Sequence, residues 1–190
     1  MTTQTPTPSQ PVAQQPEPWL RGTYSDLPAV LRAILHAFDL AREDAVRWAD
    51  GLTEAELHAS VSGLSPIAFH MRHIARSLDR MLTYAEGNQL SAEQITAART
   101  ELDPGVSREE LLAEFHQGLD RAAERVRAFA SADLEQPRAV GKKLLPTSVG
   151  GLLVHLADHT QRHTGQIVTT AKLLKTVRAE AATGGVHGLS

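Results

Sequence analysis

Residues 146–174 read PTSVGGLLVHLADHTQRHTGQIVTTAKLL, and this stretch decides the fold. Leu152, Leu156, His159, His163, Gln166, Thr170 and Leu173 recur at alternating steps of four and three. That spacing is the inward seam of a helix packed among other helices. The seam is apolar at its ends and carries two histidines in its middle, with His155 one turn earlier. Residues four apart on a helix lie one above the other, so His159 and His163 can reach one atom. An imidazole pair at this spacing chelates a divalent metal. The competing reading is two core histidines, each hydrogen-bonded to its own neighbour. A stacked pair makes that demanding, since an unsatisfied buried polar group costs about 1–3 kcal/mol.

Working outward, three more segments carry the same period. Ser65 and Pro66 open a helix in which Ile67, Met71, Ile74, Leu78, Met81 and Ala85 form the apolar stripe, with His70 and His73 beside it and Gly87 as the stop. Ser25 or Asp26 caps a first helix with Pro28 in its first turn, a seam of Leu27, Val30, Ile34, Phe38, Ala41, Ala45 and Trp48, and Gly51 at its end. Ser107 and Glu110 form a capping box ahead of Leu111, Phe115, Leu119, Ala122, Val126 and Phe129. Thr147 or Ser148 caps the last helix. The connectors fall at 51–64, at 88–106, where SAEQITAA forms a short helix, and at 132–147. No strand pattern is present. The expected fold is all-α, a four-helix bundle. A Thr-, Gln- and Pro-rich leader covers 1–18, the folded domain runs over 19–178 with Trp19 the first anchored residue, and a loose tail covers 179–190.

Composition narrows the function. Net charge is −3 and aromatics are 4%. Neither favours nucleic acid or an anionic membrane as partner. With no cysteine, the chain has no thiolate ligand, disulfide or redox thiol of its own. No apolar run approaches the roughly 20 residues of a membrane span, and no signal peptide is evident. The expectation is a cytoplasmic protein with a small-molecule substrate.

The last helix offers His159 and His163, and the second offers His73 with His70 as a spare. Three imidazoles and an open position make the ligand set of a catalytic zinc-type site. Such a set also suits nickel, iron or cobalt. Gln166, three residues after His163, is a candidate to orient a ligand ring. Asp158 points about 100° away from His159 and is no ligand. Asp79 reads as the partner of Arg76 or Arg80. Arg138, Lys142 and Lys143, before Pro146, read as a solvated loop.

The pairing of FHMRHIARSLDR with HLADHTQRHTGQI resembles the DinB-like (YfiT-like) superfamily of metalloenzymes. That family carries a histidine in an HIA or HLA element on helix two and an HxxxHxGQ element on helix four. These fall here on His73, and on His159, His163, Gly165 and Gln166. The resemblance covers about residues 25–175. It implies a bundle of up-down-down-up order, a homodimer, and His73, His159 and His163 as ligands of a divalent ion (zinc or nickel first, then iron, cobalt or manganese). It also implies a low-molecular-weight thiol as cosubstrate in some members.

Two catalytic uses follow for such a site. The ion can activate water for hydrolysis, or present a small thiol as the nucleophile of an S-transferase. HxxxH lacks the glutamate of HExxH, so a zincin-type peptidase is not expected. His155 and His70 are the candidates to carry a proton. The alternatives are a stress-related helical dimer in which the metal is only structural, and a metal-free dimerisation domain with a polar core.

Overall fold

The computed structural model describes residues 15–183. The chain enters through a single 3-10 turn, Pro18–Leu20. Pro18 is buried here while Trp19 is 61% exposed, its indole Nε1 donating to Glu17. The first anchored residue is thus Pro18 and not Trp19. Helix α1 spans Ala29–Ala49 with Pro28 itself as N-cap, and neither Ser25 nor Asp26 caps it. Pro28 itself is extended, at φ −53° and ψ 147°, so the helix begins one residue after it. Ile34, Phe38, Ala41 and Ala45 are buried as expected, joined by Leu31 and Leu35. Gly51 takes the left-handed conformation (φ 70°) that ends the helix.

The connector at 51–64 holds an unforeseen single turn, α2, Glu54–Leu57, made by a capping box between Thr53 and Glu56 and anchored by buried Leu57. Helix α3, Ile67–Ala85, starts behind Pro66 and not Ser65, since Pro66 is likewise extended. Ile67, Met71, Ile74, Leu78 and Ala85 are buried along it. Helix α4, Ala92–Arg99, and helix α5, Arg108–Arg127, each open on a capping box, Ser91 with Gln94 and Ser107 with Glu110.

The all-α expectation needs one correction. Strands β1, Pro137–Val140, and β2, Leu145–Ser148, pair antiparallel as a small hairpin. Four residues per strand leave no alternation to read, and the pairing is closed by a turn with Gly141 and Leu144 both at positive φ. Arg138 is not a free loop charge. Its guanidinium donates to the carbonyls of Ala85 and Pro137 and ties the hairpin to the end of α3. Because Pro146 belongs to β2, helix α6 begins three residues later and runs Val149–Thr183. Ser148 caps it, accepting from the Gly151 N–H at 3.1 Å. The helix passes through residue 178, where the sequence placed a domain boundary.

Helices α1 and α3 each pack against both α5 and α6. One core of buried side chains, including Leu31, Phe38, Met71, Leu78, Phe115 and Leu153, joins all four. Where α3 crosses α5, a Cβ on Gly118 would stand 2.5 Å from the Cβ of Ala75 and 2.9 Å from its Cα. The buried face of α6 includes Leu152, Leu153, Leu156, Thr160, Thr164, Ile167, Thr170 and Ala171, so the expected seam holds at Leu152, Leu156 and Thr170 and is rotated in its middle. His159 and His163 therefore lie half-buried at its edge, toward α3. Among the described residues no helix is long and apolar enough to cross a membrane.

Candidate metal centre

His73 of α3 and His159 and His163 of α6 meet in the groove between the two helices. One ring nitrogen from each lies within 4.8 Å of the other two. The ring centres are 4.4 Å apart for His73 and His163, 4.5 Å for His159 and His163, and 5.0 Å for His73 and His159. The turn spacing read in the sequence supplies the α6 pair, and the packing of α3 on α6 supplies the third ring.

The far side of each ring has a partner. His73 Nδ1 lies 2.7 Å from Glu101 Oε2. Burial pushes the Glu101 carboxyl up, but hydrogen bonds from His73 and Arg80 outweigh it and hold the carboxyl below its ordinary value. The carboxylate accepts, so His73 Nδ1 carries a proton and Nε2 is the nitrogen left to bind. His159 Nδ1 makes a longer contact, 3.4 Å, with Ser77 Oγ, whose own proton goes to the Ile74 carbonyl at 3.1 Å. That contact likewise leaves the His159 lone pair on Nε2. The two Nε2 atoms face each other at 3.3 Å. Burial, then the His163 and His73 rings, push His159 down to about 4, and burial with His73 does the same to His163, so both are neutral near pH 7.

A cation between these two nitrogens would satisfy both of them. Nitrogens bound at about 2.0–2.1 Å to a tetrahedral ion stand roughly 3.3–3.4 Å apart along a tetrahedron edge. The His73 and His159 pair thus fits a divalent metal in donor type and spacing, with one His163 nitrogen within 4.8 Å of a ring nitrogen of each.

The orienting partner expected of Gln166 is found elsewhere. Gln166 is exposed on α6 and bonds none of the three rings. It follows the helix past the trio onto the solvent side. Glu101 takes that role, and the sequence reading missed it. Glu101 is 7% exposed and lies in the segment after α4, which three arginines one turn apart on α3 hold in place. Arg72 donates to the Asp103 carbonyl at 2.8 Å, Arg76 to the Ala97 carbonyl at 2.6 Å and Thr100 Oγ1 at 2.8 Å, and Arg80 to Glu101 Oε1 at 2.8 Å. A row of basic residues at steps of four beside His73 was the available signal. Asp79 pairs not with Arg76 or Arg80 but with Arg125 at 2.6 Å, since those two turn to Glu114 and Glu101.

His70, ranked as a spare ligand, is buried at 5% exposure, its Nδ1 3.0 Å from His163 Nδ1. Its Nε2 is shut from solvent without a partner among the described residues. Burial, then His163 and His73, push it down to about 4. His155 is part-exposed, its ring centre 5.2 Å from that of His159 and its Nδ1 3.4 Å from Asp158. Phe69 stacks on His73 with centres 5.3 Å apart, forming an apolar wall of the groove.

No curated protein matches the chain. Residues 37–167, from within α1 to just past Gln166, match the family model for the DinB superfamily, and this span carries all three converging histidines. By that match the chain belongs to the DinB superfamily.

Proposed function

We propose that this protein is a metal-dependent enzyme acting on a small molecule through a divalent ion held by His73, His159 and His163. The observation that carries the reading is the 3.3 Å approach of His73 Nε2 to His159 Nε2, with each Nδ1 turned to an acceptor. Zinc or nickel fits neutral imidazole donors best, with iron, cobalt or manganese behind. Bound there, the ion would supply Lewis acidity to lower the pKa of a water or a small thiol. Thiol S-transfer is the first assignment and hydrolysis the second. With no cysteine in the chain, the thiol has to arrive as a low-molecular-weight cosubstrate.

The chain's own residues divide the remaining work. Glu101 holds the His73 ring and its tautomer, and Ser77 does the same for His159. His70 is assigned to orient His163, in keeping with its 3.0 Å contact and its burial. His155 is assigned proton transfer to solvent, supported by its part-exposed ring beside His159. The scaffold is read as a four-helix bundle of up-down-down-up order, acting as a cytoplasmic homodimer. The packing of α1 and α3 each against α5 and α6 supports a four-helix arrangement.

A second reading has one observation in its favour. The carboxylate nearest the rings, Glu101, is already committed to His73 and Arg80, so it is no free base. In that reading the metal is structural and joins α3 to α6 without turnover.

Metal analysis of the purified protein tests the first step. Stoichiometric metal is expected, and loss of it in the His159→Ala, His163→Ala double variant. Sub-stoichiometric metal unaffected by those changes ends both metal readings. Reconstituted protein is then assayed with small thiols against electrophiles and with esters. Metal that raises the melting temperature without turnover of either class leaves the structural reading standing.

A further inference from the structure

A second cleft lies on the other side of α6, away from His73, His159 and His163; His36, its Nε2 3.0 Å from Thr23 Oγ1, is part of its lining. It opens between the Pro18–Leu20 turn, α1 and α6 and has a volume of about 390 Å³. That is the size range of small-molecule sites. Its floor is formed by alanines of α1, Ala29, Ala33 and Ala37, which leave the space that larger side chains would fill. Trp19 makes one wall. Its indole Nε1 is held by Glu17 at 2.8 Å, which leaves the ring 61% exposed beside the cleft. Gln161 closes the α6 side, its amide fixed on the Ala37 carbonyl at 2.7 Å.

One charged residue lines this space, Arg32. Its side chain is only partly exposed and has neither an acid nor a carbonyl partner among the described residues. The contrast with Arg21 on the same side of the fold is plain, since Arg21 pairs with Glu43. A guanidinium with no acid partner at an apolar, ring-walled cleft matches an anion that carries an apolar body. A flat body would stack on the indole.

We propose that this cleft binds a small apolar carboxylate, its body between Trp19 and the alanine floor and its carboxylate on Arg32. The site is separate from the histidine centre and does not depend on the metal reading.

The test uses 2-naphthoate and the full chain. Trp48→Phe removes the other of the two tryptophans and leaves Trp19 as reporter. Saturable quenching of Trp19 by 2-naphthoate is expected. Arg32→Gln should weaken it at least about tenfold, as should replacing the acid by uncharged 2-naphthylmethanol. Ala33→Leu, which fills the floor, should abolish it while circular dichroism and melting stay those of the parent. Absence of saturable quenching, equal binding of acid and alcohol, or indifference to Arg32→Gln overturns the proposal. So does quenching that saturates only after residues 1–14 are removed, which would make the leader the occupant. A cleft closed by a second copy would show as quenching that falls with protein concentration, and that too overturns it.

Discussion

His73 and Glu101 are 28 residues apart in the chain and 2.7 Å apart at the candidate metal centre. The carboxylate is shared with Arg80 at 2.8 Å, so it is held from both sides. A carboxylate on the back of a ligand histidine fixes the ring and raises its basicity.

Glu101→Ala should therefore weaken zinc or nickel binding by about 10–100-fold. Glu101→Gln, which still offers a carbonyl acceptor, should recover part of it. Competition with a chromogenic chelator reads both. An affinity unchanged in Glu101→Ala would show that the pair is a packing contact only.

Gln166→Ala should leave metal affinity as it is, because the side chain is exposed and bonds no ring. Ser77→Ala should lower affinity by a smaller factor than Glu101→Ala, since its contact with His159 is long at 3.4 Å. The same chelator titration ranks the three variants.

Metal-free protein should lose stability as pH falls from about 6.5 to about 4. His70, His159 and His163 are depressed to about 4 by burial and by each other or His73. The unfolded chain takes up those protons from about pH 6.5 downward, before the folded one does. Their contribution is thus full above the unfolded value and is lost through the folded one. Urea midpoints at several pH values should fall across that window. The drop should be steeper with metal present, because protons compete for the same nitrogens.

Gly118→Ala should destabilise the protein by about 1–3 kcal/mol, although alanine is the better helix former by about 1 kcal/mol. The new methyl would meet Ala75 at 2.5 Å, part of it against backbone. Thermal unfolding of the variant checks this, and a rise in melting temperature would show that the crossing can open.

The long helices were legible because each has an apolar period and a cap or a stop signal, as Ser107 and Glu110 show for α5. The metal trio was legible because its elements stand in local patterns, HIA at His73 and HxxxHxGQ at His159. Glu101 was not. It sits in an irregular segment, and only the tertiary arrangement of Arg72, Arg76 and Arg80 brings it to the site. The seam of α6 held at Leu152, Leu156 and Thr170 but was misjudged by part of a turn in its middle. Polar Thr160 and Thr164 are buried, while the histidines sit at the edge. Side-chain polarity pointed the other way, because the ring pair was taken as the centre of the face. The hairpin at 137–148 was invisible for want of length, and proline-led helix starts displaced the Ser25, Asp26 and Ser65 caps.

The contact of Gly118 with Ala75 lies two residues from His73. A methyl at Gly118 would meet both the Cβ and the Cα of Ala75, so α3 and α5 leave no room for a larger side chain beside His73, whereas on α6 a methyl at Gly165 would meet nothing within 4 Å.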